Sequence, residues 1–234
     1  MNVWSIKDTE NHILRVYGKE QLWIAKPSLH SIYLRGNYAH YHYQESNKLL
    51  DKFLRKELKT KAPFEVSFEN SNSKELTLIK VEANILACLS NIHTVADIFS
   101  HAIYYSFGLN LTNSPIHEDK ISTNSVLKLI KHNNDFDLIA ELLSTLKNGG
   151  NFEHLSAIVN STKHRAIKRL NLSFDLNSPP NKSYSMKIPA YHYKEKGFPE
   201  VEVKAFLTKE YNRIFKLHID IGNAINEVLI AKQH

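Results

Sequence analysis

Between residues 74 and 107 the chain repeats apolar side chains in steps of four and three: Ile85, Leu89, Ile92, Ala96, Phe99 and Ile103. That spacing lines one stripe of a helix and fits no strand, whose faces alternate every second residue. Gly108 follows directly, the residue type that takes the left-handed conformation just past a helix end. A rod of this length is long enough for the remaining elements to pack along it, and it dictates the architecture.

Further helical spacing is expected over 29–59, 124–132, 135–146 (with Asp135 near the N-cap), 152–167 and 208–232. The last of these carries Leu217, Ile221, Ala224 and Val228 on one side despite Gly222 inside it. Two short runs at the start, "HILRVYG" and "QLWIAK", are divided by Gly18 and closed by Pro27, which reads as a β-hairpin or an extended arm. "NLSFDLNSPPNKSYSMKIPAYHY" alternates on both sides of a polar, proline-rich tip and predicts a β-hairpin, with "VEVKAFL" as a third strand. The expected fold class is mainly α: a helical bundle around a long central helix, with a small N-terminal β arm and a β-hairpin before the C-terminal helix. A single domain over 1–234 is expected, divided into arm 1–27, helical core 28–170, hairpin insertion 171–207 and C-terminal helix 208–234.

Composition narrows the function classes. Hydrophobic residues make up 42%, enough for a core, and a net charge of +6 with a pI near 9.2 favours acidic partners such as RNA or a nucleotide. Cys88 is the single cysteine, which excludes an internal disulfide and a thiolate zinc cluster. No run is long and apolar enough to cross a bilayer, and the start lacks a signal-peptide stretch, so a cytoplasmic protein without membrane contact is expected. No cofactor and no bound metal are expected.

Three constellations carry polar chemistry. In "VNSTKHRAIKR", Asn160, Lys163 and His164 fall at i, i+3 and i+4 on one helix face, with Arg165 about 100° further round. A guanidinium fork, an ammonium and an imidazole suit a phosphate or carboxylate. The same basic residues also complement the negative end of a helix dipole. On the central helix, His93, Asp97 and His101 recur every fourth residue. Eight residues rise about 12 Å, so the three do not close on one ion. A buried network in which Asp97 orients His93, or an anion site, fits better. Finally, Arg35 with His40 and Arg213 with His218 repeat an Arg-x4-His spacing, the minimum for metal-independent RNA cleavage. Thirteen histidines make about one such hit expected by chance. The tyrosines of "YAHYHY" (38–43) offer rings for base stacking or for packing.

"NIHTVADIFSHAIYYSFGLNL" on one long helix, then "HLSAIVNSTKHRAI" on another, then strands, resembles the HEPN superfamily of bacterial helical domains found in toxin and phage-defence loci. The likeness spans about residues 84–175. It implies a helical core, homodimerisation and, in active members, a metal-independent endoribonuclease with Arg-x4–6-His and a polar residue after the arginine. Other members are RNA-binding or scaffold forms. Here His164 precedes Arg165, and Gly36 and Ile214 follow the arginines of the two spaced pairs. The resulting expectation is an RNA or nucleotide site with His164 as acid/base and Lys163 and Arg165 on phosphate. Asn160 would contact the ligand, and Asp97 would orient His93 or His164. The alternative is a non-catalytic interaction module in which the same groups are structural.

Overall fold

A computed structural model describes residues 3–178 and 183–233. Among them the chain forms seven α-helices: α1 (Ile6–Glu57), α2 (Pro63–Phe68), α3 (Asn72–Ser106), α4 (Thr123–Ile130), α5 (Asp137–Asn148), α6 (Phe152–His164) and α7 (Val203–Ala231). Five short strands complete it: β1 (Asn171–Phe174), β2 (Tyr184–Ile188), β3 (Tyr191–Tyr193), β4 (Lys196–Phe198) and β5 (Val201–Glu202). The mainly α class and the hairpins before the last helix agree with the sequence pattern. The helix that carries the seam is α3, and all six of its predicted seam residues are buried. Gly108 takes φ 61°, the left-handed cap expected of it.

The N-terminal β arm does not form. Residues 6–57 are helical, and the alternating look of "HILRVYG" and "QLWIAK" is misleading for a specific reason. Within residues 6–27 two core positions hold polar residues, Thr9 and Gln21, while Trp23 and Ile24 are exposed. The buried face runs Thr9, Ile13, Gln21, Ala25, Leu29 and Ile32, a helical spacing hidden from hydropathy. The polar pair is satisfied: Thr9 Oγ1 donates to Asn226 Oδ1 at 2.6 Å, and Gln21 Nε2 donates to Asn110 Oδ1 at 2.7 Å. Gly18, at φ 86° and ψ −179°, is not helical, and α1 is two helices joined there at a kink. Pro27 sits inside the helix, exposed, four residues after exposed Trp23, so the carbonyl it leaves unbonded is within reach of solvent.

Smaller differences follow local chemistry. "PFEVSF", which looks extended, is a one-turn helix with Pro63 in its first turn, where a missing N–H costs nothing. Asn133, not Asp135, caps the turn leading into α5, accepting from Asp135 N at 3.0 Å. The third strand is only Val201–Glu202, and α7 starts at Val203 because Glu202 accepts from Lys204 N at 3.0 Å and Ala205 N at 2.6 Å.

The chain divides into two compact units. Unit 1 comprises Met1–Gly36, Thr94–Phe152 and Asn212–His234; unit 2 comprises Asn37–His93 and Glu153–Tyr211. Unit 1 is helical, with Leu29, Ile32, Phe99, Ile103, Leu143, Leu146, Ile221 and Ile225 in its core. Its Trp4 ring lies so close to Gly222 that a Cβ there would stand 2.0 Å from Trp4 Cδ2. Unit 2 carries an antiparallel sheet in the order β1-β2-β5 and the β3–β4 hairpin. In that hairpin Tyr191 pairs with Phe198 and Tyr193 with Lys196. Val81, Ile85, Leu155, Ile158, Met186, Ile188, Phe206 and Leu207 form its core. The tip residues 179–182 of the β1–β2 hairpin lie outside the described residues. No described helix is long and apolar enough to cross a membrane.

Candidate nucleic-acid interface

Helix α6 ends at His164 and leaves Lys163, His164 and Arg165 exposed, followed by half-buried Lys168. The helix buries Leu155, Ala157 and Ile158, so its polar end stands clear of its apolar side. Part of this charge meets the negative end of the α6 dipole, the structural role foreseen for it.

The β3–β4 hairpin of the same unit supplies rings to these cations. The Arg165 guanidinium lies 5.5 Å from the Tyr193 ring centre, and Lys194 Nζ lies 5.8 Å from the same ring. Lys168 Nζ stands 5.2 Å from the Tyr191 ring. Such contacts hold cations over ring faces without neutralising them. Among the described residues Lys163, Arg165, Lys168 and Lys194 have no acidic partner, whereas neighbouring Arg169 is paired with Glu82 at 3.0 Å and Lys196 with Glu153 at 2.5 Å. The hairpin turn is tight: Lys194 has φ 54°, left-handed for a residue with a Cβ.

The hairpin is anchored from beneath. His154 on α6 is buried, with its ring 5.6 Å from Tyr191, 5.0 Å from Phe198 and 5.2 Å from Phe206. Burial lowers the pKa of this imidazole and raises that of the Tyr191 phenol. The Tyr191 hydroxyl donates to the His154 carbonyl at 3.3 Å. Tyr191 and Phe198 stack at 5.2 Å.

Of the predicted constellation, His93 and Asn160 share one partner, Ser156. Ser156 Oγ lies 3.2 Å from His93 Nε2 and accepts from Asn160 Nδ2 at 3.1 Å. Asp97 is exposed and belongs to unit 1, where it accepts from Thr123 Oγ1 at 3.5 Å. His101, also in unit 1, packs its ring 6.3 Å from Tyr105. Among the described residues no group of three or more His, Cys, Asp or Glu side chains is placed to hold a metal ion.

The two spaced arginine–histidine pairs have separate surroundings. Arg213 donates to the carbonyls of Thr145, at 3.0 Å, and Leu146, at 3.3 Å, closing the end of α5. His218 is buried beside Phe99, ring centres 5.3 Å apart, with Nε2 unbonded. Five helical residues turn about 140°, which is why one faces a helix end and the other the core. His40 is exposed and bonded to Gln44 at 2.8 Å, while Arg35 is half-buried in unit 1. In "YAHYHY", Tyr38 and Tyr41 are exposed and Tyr43 bonds Thr208 at 3.1 Å.

The residues that sequence reasoning passed over are Ser156, Lys168, Tyr191, Tyr193 and Lys194. For the hairpin a signal was present: "YHYKEKGF" alternates rings on one face and closes on a lysine turn. Against known proteins, no family model, no curated protein and no solved structure matches this chain.

Proposed function

We propose that this protein binds single-stranded RNA on the unit 2 surface formed by the end of α6 and the β3–β4 hairpin, as a HEPN-like protein. The observation that carries the reading is Tyr193 flanked by Arg165 and Lys194, with Lys163 and Lys168 on the same α6–hairpin segment and none of the four cations ion-paired among the described residues. Cations track the phosphates of a strand, and the Arg165 guanidinium plane held over Tyr193 extends the ring into a surface on which a base can stack. Where the strand is cut, His164 takes the ribose 2′-hydroxyl proton. The 2′-oxygen then forms a bond to the adjacent phosphorus, and the departing 5′-oxygen takes its proton from water. Lys163 and Arg165 hold the phosphate in that step.

A second reading, binding without cleavage, is favoured by the engagement of His93 and Asn160 with Ser156. Both of those groups are then structural.

Anisotropy titration of a fluorescent single-stranded RNA in EDTA, over a range of salt, tests the proposal. With Lys163, Arg165, Lys168 and Lys194 each on a phosphate, log K should fall against log salt with a slope of about −3. Removing Lys163 and Arg165 together should reduce that slope by about 1.4. Tyr193→Ala should weaken binding by about tenfold at every salt concentration. Equal slopes in the parent and the double variant would refute the surface. Gel analysis of the same mixtures separates the two readings: product that disappears in His164→Ala supports cleavage, and an intact strand supports binding alone.

A further inference from the structure

Unit 2 also contains a cleft of about 790 Å³, distinct in its lining from the cationic hairpin surface. Its floor is apolar. Leu50 and Leu54 of α1 and Leu58 just past its end form a row, faced by Val81 and Ile85 of α3, Met186 of β2, and Val203 and Leu207 of α7. Three leucines at four-residue steps extend about 12 Å along the helix. The row is half-buried, while the facing residues are at most 4% exposed, so the leucines are the part of the wall left open. A cavity of this volume lies within the range of sites that enclose small molecules.

The rim is polar and its charges are unequal. Arg55 and Lys204 line the opening and have no acidic partner among the described residues. Glu202, also in the lining, is committed to the amides that start α7. Asp51 is the remaining carboxylate, and it shares its stretch of chain with Lys48, Lys52, Arg55 and Lys56 of α1 and with Lys59 just past its end. Of these, Lys48 pairs with Glu45 and Lys56 with Glu57, both at 3.6 Å, leaving Lys52, Arg55 and Lys59 in excess of Asp51. An apolar trough edged by surplus cations complements a molecule with a hydrocarbon body and one anionic end.

We propose that this cleft binds a long-chain carboxylate, with the acyl chain laid along Leu50, Leu54 and Leu58 and the carboxylate at Arg55 and Lys204. A nucleotide would place its polar sugar and base edges against the leucine row, which is unfavourable, and Ser46, Asn47 and Tyr184 of the lining already donate to backbone carbonyls. The site is independent of the RNA surface, which lies on different residues of the same unit.

Calorimetric titration of the whole protein with dodecanoate, dodecanol and dodecylammonium, each below its micelle-forming concentration, tests it. Dodecanoate should bind tightest. Replacing Arg55→Gln and Lys204→Gln together should weaken dodecanoate by about tenfold or more and leave dodecanol unchanged. Leu54→Trp, which fills the trough without adding charge, should abolish binding of both, with circular dichroism confirming the fold. Absence of dodecanoate binding, or equal binding of dodecanoate and dodecylammonium, overturns the proposal. So does an Arg55/Lys204 double variant with unaltered dodecanoate affinity.

Discussion

His218 makes unit 1 sensitive to acid, and the size of the effect follows from its surroundings. Its imidazole is buried on α7 next to Phe99, with Nε2 lacking any bond, and burial holds its pKa down to about 4 from the usual 6.5. In the unfolded chain the same ring takes a proton near its ordinary value. Below that value the unfolded state therefore binds more protons than the folded one, and stability falls as pH falls through this window. The gap corresponds to a loss of about 3 kcal/mol once pH has dropped below the folded pKa, and to about 2 kcal/mol near pH 5. His218→Leu removes the titration while keeping an apolar side chain in the space. Urea unfolding of parent and variant, between about pH 7.5 and pH 5, gives the difference in stability at each step. His154, whose pKa burial also lowers, is present in both proteins and cancels in that difference. The variant should gain on the parent by about 2 kcal/mol across the range. A difference that stays level with pH would falsify the placement of an uncharged, unbonded imidazole in this core.

Two further outcomes follow from close contacts. Gly222→Ala puts a methyl group into the Trp4 ring, 2.0 Å from Cδ2, and should destabilise unit 1 by about 2 kcal/mol with a red shift in tryptophan emission. In a Trp4→Ala background the same change should stabilise by up to about 1 kcal/mol through helix propensity, and loss in both backgrounds would contradict the contact. Lys74 is buried, and its ammonium donates to the carbonyls of Val66 and Ser67, both at 2.8 Å, and of Glu69 at 3.0 Å, closing the end of α2. Lys74→Met should cost about 2 kcal/mol in urea unfolding, and a change of only a few tenths would show that water replaces the ammonium freely.

The fold was legible where side chains in the core were apolar. The α3 seam and the Gly108 cap stand as their spacing predicts, because nothing but burial and chirality decides them. The start of the chain was illegible because Thr9 and Gln21 enter the core through hydrogen bonds to Asn226 and Asn110, residues remote in sequence. A hydropathy pattern carries no trace of a partner more than two hundred positions away. The candidate surface was half legible. Lys163, His164 and Arg165 announce a basic helix end, but the rings beneath Arg165 and Lys168 arrive from a hairpin whose role depends on tertiary packing. Arg213 and His218 show the opposite error, a spacing that matches a catalytic pattern while the helix turns the two side chains to a helix end and to the core.

The link from Thr9 to Asn226 also sets a timetable for synthesis. Unit 1 draws on residues 1–36 and 212–234, so during synthesis α1 exists before the segment of α7 that completes the unit. Until α7 emerges, Thr9 has no Asn226 to donate to and Trp4 no Gly222 to lie against, and removing residues 212–233 should leave a sticky, protease-sensitive product instead of a shorter folded one.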